Sequence, residues 1–168
     1  MLGVCLLFVG IVLINNGLCR LNGIDGKSTA VMNIFTGSLS LIINVIALVQ
    51  GNFYAAGTGL LFGFTYLFVA FSSILGLNPK PFAWFSTFVA INAVIFGTVE
   101  GFLGNAFLLI TPDIRWAVIW YLWAMLWGTA YVEDIMHVKL GNFVPRLQVF
   151  EGVVTAWVPG VLMLLGLW

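Results

Sequence analysis

The sequence predicts an all-α integral membrane protein with six transmembrane helices. Three observations carry that expectation. Apolar side chains make up 62% of the 168 residues. Charged side chains make up only 7%, against about 25% in soluble domains. The apolar residues fall in long runs separated by short polar patches, as in a chain whose main solvent is lipid. The alternating ten-residue segments of a β-barrel are absent.

The first run, MLGVCLLFVGIVLINNG, has neither a basic leader nor a small-residue cleavage site, so it reads as a spanning helix over 2–19. The polar break CRLNGIDGKS separates it from a second helix over 28–50. QGNFYAAG precedes a third over 56–77, and LNPKPF a fourth over 82–103. GNAFLLITPD precedes a fifth over 114–136, and MHVKLGNFVPR a sixth over 147–167. Pro79, Pro81, Pro112 and Pro145 fall in or beside these breaks, where helices stop and start. Together the segments form one six-helix transmembrane domain over 1–168. Cys5 and Cys19 share the first helix about 21 Å apart along its axis, too far for a disulfide.

Basic residues set the orientation. Arg20 and Lys27 lie in the first break, Lys80 in the third, and Lys139 and Arg146 in the fifth; only Arg115 falls on the other side. The positive-inside rule puts the odd-numbered breaks in the cytoplasm and both termini outside. Asp113 and Arg115 then mark the outer surface, and His137, the sole histidine, lies on the cytoplasmic side.

A repeat underlies the even-numbered helices. Asn33, Asn92 and Glu151 are spaced 59 and again 59 residues apart, in the contexts STAVMN, STFVAIN and LQVFEG. Three polar groups at one depth suggest three helical hairpins in a quasi-threefold bundle. The odd-numbered helices carry a second pattern at i, i+4: Val9 and Leu13, Phe62 and Tyr66, Trp123 and Trp127. Each pair forms a strip on one helical face. Three such strips facing inward enclose a slot with apolar and aromatic walls. The fifth helix extends its strip to Trp116, Trp120, Trp123 and Trp127, an indole column of about 16 Å. Tryptophan in membrane proteins usually sits at the two interfaces instead. On spacing alone such a column is more often packing than a ligand path.

The stretches MLGVCLLFVGIVLINNG, KSTAVMN, GTGLLFGFTYLF, WFSTFVAIN, WAVIWYLWAMLW and FEGVVTAWVP occur in order through all six helices. With them the chain resembles the UreI/AmiS family of bacterial urea and short-amide channels, closest to the urea branch. The resemblance implies a six-helix bundle with a pore in each protomer, a hexameric ring, and placement in the inner membrane. It implies a path lined by Val9, Leu13, Phe62, Tyr66, Trp120, Trp123, Leu126, Trp127 and Glu151. Leu2, Leu6 and Trp116 lie nearer the outer mouth. It turns the indole column into the flat wall of a slot for a planar amide. The expected permeant is urea supplied to a cytoplasmic urease, with acetamide-type amides as the competing substrate. Acid-gated members carry a longer, histidine-containing loop between the second and third helices. Here that loop is QGNFYAAG, without histidine or acid, so the expectation is conduction at neutral pH.

Urea is planar, neutral and strongly hydrated, and an unpaired amide in an apolar medium costs several kcal/mol. Aromatic faces receive N–H groups weakly, which suits a site that must release what it binds. Glu151 lies well inside a helix and reads as an acceptor for solute N–H groups; the alternative is a structural glutamate tying the sixth helix to its neighbours. Tyr66 presents a hydroxyl either to solute or to a neighbouring helix. Asn33 and Asn92 read as interhelical hydrogen-bond glue. Gly59/Gly63 and Gly97/Gly101 have GxxxG spacing and suggest where protomers meet. Pro159, deep in the sixth helix, should kink it and free the Thr155 carbonyl. Glu100, Glu133 and Asp134 lie near helix ends and read as solvated or interfacial. One histidine, two distant cysteines and no phosphate-binding or nucleophile motif argue against an enzyme, a metal site or a cofactor. Nothing in the charge pattern invites nucleic acid. A coupled transporter would show intramembrane charge pairs, and Glu151 stands alone. A structural membrane subunit remains the remote alternative.

Overall fold

The computed structural model describes residues 1–168. The chain is helical, with one isolated antiparallel bridge between Asn105 and Ile110. The helices are α1 (Leu2–Leu21), α2 (Gly26–Val49), α3 (Phe53–Leu75), α4 (Lys80–Thr98), α5 (Ile114–Asp134), α6 (Phe143–Glu151) and α7 (Val158–Leu164). A π-helical turn, Val99–Leu103, continues α4, and a second, Gly152–Trp157, joins α6 to α7. Five stretches are long and apolar enough to cross a bilayer: α1, α2, α3, Lys80–Leu103 and Phe143–Leu164. At 21 residues α5 also has the length to span. Its indoles and phenols have polar edges, and they make it less apolar than its neighbours.

Local chemistry sets the helix ends. Asp25 caps α2, its carboxylate accepting from the Ser28 backbone N–H at 3.0 Å and from the Ser28 hydroxyl at 2.6 Å. Asn52 caps α3 by accepting from the Ala55 N–H at 3.2 Å. The expected break QGNFYAAG therefore closes to Gln50–Asn52. Gly51, at φ 79°, supplies the left-handed residue that so short a reversal needs. The sixth segment starts at Phe143, four residues before the expected 147, because Pro145 sits in the first turn, where its missing N–H has no partner to lose.

The chain divides into two compact units, residues 1–78 with 141–168, and residues 79–140. In the first unit α2 packs along α3, while α1 packs along α6, the second π turn and α7. In the second unit α4 packs along α5. The tightest pairs thus run one helix on from the sequence-order hairpins, and α1 touches α2 less extensively.

Glycines set these close approaches. Gly3, Gly10 and Gly17 recur every seven residues on α1 and meet Met163, Trp157 and Pro145. From the other side, a Cβ at Gly152 would stand 2.9 Å from the Gly10 carbonyl oxygen. The GxxxG pairs do the same work inside the chain. Gly59 lies against Asn44 and Gly63 against Ser40 of α2, while Gly97 and Gly101 lie against Trp120 and Ala117 of α5. This corrects their reading as protomer contacts: the missing side chains are already used to bring α3 onto α2 and α4 onto α5.

Candidate functional site

In the first unit, Leu2, Leu6, Val9 and Leu13 recur at steps of four, three and four, so they share one face of α1. The α1 glycines that meet the sixth segment lie to one side of this face. To the other side, the Phe8 carbonyl accepts from the Thr36 hydroxyl of α2 at 3.3 Å. The strip occupies the gap between these two packing faces. Leu6, Val9 and Leu13 are buried, whereas Leu2, at the helix start, is 52% exposed. On α3, Phe62 and Tyr66 are buried one turn apart.

Glu151 is the last residue of α6, at 0% exposure. Both its carboxyl oxygens are buried without a hydrogen-bond partner in the protein. Tyr66 lies close enough to interact with it electrostatically. The contact of Gly152 with Gly10 and Ile14 fixes the Glu151 turn against the middle of α1. The Glu151 backbone carbonyl accepts from the Thr155 hydroxyl at 2.6 Å. Just beyond, the Val158 N–H donates to the Val153 carbonyl, an i→i+5 bond. In that register the carbonyl opposite Pro159 is that of Val154, not the Thr155 carbonyl of an unbroken α-helix. The expected proline distortion therefore takes the form of a π turn that begins directly after Glu151.

The second unit holds the indole column of α5. Trp120, Trp123 and Trp127 are buried, and Trp116 and Leu126 are half-buried. The rings of Trp120 and Trp123 lie 5.1 Å apart at 87°, and those of Trp123 and Trp127 6.4 Å apart at 68°. Phe96 of α4 adds a tilted contact to Trp120 at 5.6 Å. The column is therefore not the flat wall expected. Aromatic quadrupoles favour edge-to-face packing over coplanar faces, and the column alternates indole faces and edges.

The repeat-related polar residues take three different environments. Asn33 is fully buried and exchanges two amide hydrogen bonds with Asn16 of α1, at 2.7 and 3.0 Å. Here the glue role is realised. Asn92 is half-buried and donates to the Phe88 carbonyl of its own helix at 2.8 Å, so its bond is not the interhelical one expected. Glu151 bonds to nothing in the chain through its side chain.

Sequence reasoning passed over the rest of the polar seam on α2. Thr36, Ser40 and Asn44 follow Asn33 at steps of three, four and four, and all are buried. The Ser40 hydroxyl donates to the Gly59 carbonyl of α3 at 3.2 Å, and the Asn44 amide to the Ser40 carbonyl at 2.8 Å. Polar residues at that spacing in an apolar helix were the available signal.

Bilayer-length apolar helices, an interior polar seam and a buried carboxyl without a partner are features of a multi-pass membrane protein that handles solute. The family model for AmiS/UreI family transporters matches residues 1–167. The chain belongs to this family. It is 43% identical to the acid-activated urea channel of Helicobacter pylori over 194 aligned positions, covering all of both chains. That alignment is longer than this chain's 168 residues, so the relative carries residues this chain lacks. The chain is 37% identical to a Mycolicibacterium smegmatis protein described as a transporter of amidate substrates, over 99% of its own length and 78% of the relative. The cryo-EM structure of the Helicobacter pylori urea channel in a closed state superposes with a TM-score of 0.91, at 43% identity and full coverage of both chains. The family and these relatives are transporters and channels, not enzymes.

Proposed function

We propose that this chain is a passive urea channel of the bacterial cytoplasmic membrane, open at neutral pH and supplying a cytoplasmic urease. Both termini face outward in this reading. The helices form three hairpins arranged quasi-threefold around a pore in each protomer, and protomers assemble as a hexamer. Val9, Leu13, Phe62, Tyr66, Trp120, Trp123, Leu126, Trp127 and Glu151 line the path, as the family resemblance implies. Leu2, Leu6 and Trp116 lie toward the outer mouth.

The observation that carries this reading is Glu151. A carboxyl buried without a partner is costly in an apolar interior, and a solute rich in N–H groups supplies what the protein withholds. Tyr66, buried on α3, adds an aromatic face. Apolar and aromatic residues elsewhere on the path give a neutral planar solute weak contacts it can leave. Ions find no ring of carbonyls or charges to replace their water. The likeness to a urea channel over the whole chain supports urea as the permeant. Conduction without acid activation is supported by the Gln50–Asn52 turn, which has three residues and no titratable side chain.

A second reading, a channel for short-chain amides such as acetamide, is favoured by the 37% identity to the amidate transporter. Purified protein in liposomes decides between them by osmotic swelling under gradients of urea, acetamide and thiourea at pH 7 and pH 5. Urea fastest, with similar rates at both pH values, is the expected result. Acetamide fastest selects the second reading. Swelling no faster than in empty liposomes for every solute defeats both. Trp123→Ala with Trp127→Ala should change flux and solute preference together, and an unchanged pattern would remove the indoles from the path.

A further inference from the structure

We infer that Asn16 is a further solute-contacting residue, the N–H donor that receives the carbonyl oxygen of the permeant near the level of Glu151. This rests on the reading of the chain as a conduit for urea or a short amide and names a second polar contact within it.

The position follows from α1 alone. Leu2, Leu6, Val9, Leu13 and Asn16 recur at steps of four, three, four and three, all within an arc of about 80°. Asn16, half-buried, is thus the next residue of the strip after Leu13. The contact of Gly152 with Ile14 sets Glu151 at the same level of α1, and Asn16 lies about 3 Å of axial rise beyond Ile14. Urea spans a comparable length between its carbonyl oxygen and its N–H groups.

The orientation follows from hydrogen-bond capacity. The Asn33 amide donates both of its N–H groups, one to the Thr29 carbonyl at 3.0 Å and one to the Asn16 carbonyl oxygen at 2.7 Å. The Thr29 backbone can only accept, so it fixes which way the Asn33 amide faces. The Asn33 oxygen must then accept from Asn16, as it does at 3.0 Å. That bond uses one of the two N–H groups of Asn16 and holds the amide plane. The second N–H has no partner within the pair.

The chemistry is complementary. The Glu151 carboxyl accepts from the N–H groups of an amide, and the carbonyl oxygen at the other end of that solute calls for a separate donor. The apolar members of the strip offer no donor. A held amide N–H at nearly the same depth of the bundle as a carboxyl offers a donor and an acceptor to the two ends of one urea or primary amide. The ligand class is a neutral solute with both a carbonyl and an N–H group.

Urea and thiourea flux into liposomes tests this, because sulfur accepts a hydrogen bond more weakly than oxygen. The variant Asn16→Leu/Asn33→Leu removes both amides and strands neither, which favours retention of the fold. Asn16→Asp removes the donor at constant shape. In either variant urea flux should fall about tenfold, the worth of one hydrogen bond. Thiourea flux should change much less, so the urea-to-thiourea ratio drops. A ratio equal to that of the unmodified protein overturns the inference, because a purely structural pair would scale both solutes together. If the double variant does not fold, the ratio for Asn16→Asp decides. Unmodified protein that conducts neither solute fails at the channel reading itself, a separate outcome from an unchanged ratio.

Discussion

Asn33 and Glu151 stand at matching positions of a 59-residue register, and the fold treats them oppositely. Around Asn33 both N–H groups and the oxygen are matched, to Asn16 and to the Thr29 carbonyl. Around Glu151 neither oxygen has a protein partner. Both side chains are completely buried, so exposure does not separate them. What separates them is whether the neighbouring helix supplies a complement. The face of α1 toward α2 carries an amide, while its face toward Gly152 carries glycine and Ile14. A satisfied polar group inside a membrane bundle fixes helices together; an unsatisfied one is available to whatever passes.

Four experiments bear on that contrast. The largest effect is expected from Gly152→Leu, because the new side chain collides with the Gly10 carbonyl and the Ile14 backbone and pushes the Glu151 turn off α1. Folded protein should be lost, seen as aggregation on size-exclusion chromatography in detergent. A monodisperse variant would mean that the α1 contact does not hold the turn. Next comes Glu151→Gln, for which urea flux should drop at least tenfold with essentially unchanged thermal stability, since no protein hydrogen bond is broken. A marked fall in Tm with normal flux would reverse the assignment and make Glu151 the structural member.

Asn33→Leu should do the opposite by stranding the Asn16 amide. A loss of about 1–3 kcal/mol is expected, read as a Tm decrease larger than that of Glu151→Gln. The smallest effect concerns pH. The Ser28 hydroxyl and N–H hold the Asp25 carboxylate below its ordinary value of 3.8, and the Arg115 side chain does the same for Asp113. A depressed folded-state value gives stability that is present above the unfolded value and lost as pH falls through the folded one. Thermal stability should therefore be flat from pH 5 to 8 and decline only below about pH 4. A transition near pH 6 would point to another group.

The six segments were legible because lipid enforces them: long apolar runs and five proline- or glycine-bearing breaks leave few alternatives. Caps moved the ends, as when Asn52 drew three residues of a presumed loop into α3 and Pro145 fell inside the first turn of α6. The π turns were not legible, because an i→i+5 register leaves no composition mark beyond Pro159. Glu151 stood out as the one acid deep in an apolar run. Asn16 did not, because an asparagine near the end of an apolar run carries no distinguishing mark until its partner on α2 is known. The partner choice of the GxxxG pairs was equally hidden, since spacing records close contact without saying with which helix.

The unmatched carboxyl of Glu151 also ties cargo to conformational equilibrium. A solute that donates to it finds that geometry only in the folded chain, so occupancy deepens the native basin by mass action. Urea at molar concentration dissolves protein structure by solvating peptide groups. Held at this one position, the same molecule would act as a stabilising ligand, and the balance between the two actions would depend on its concentration.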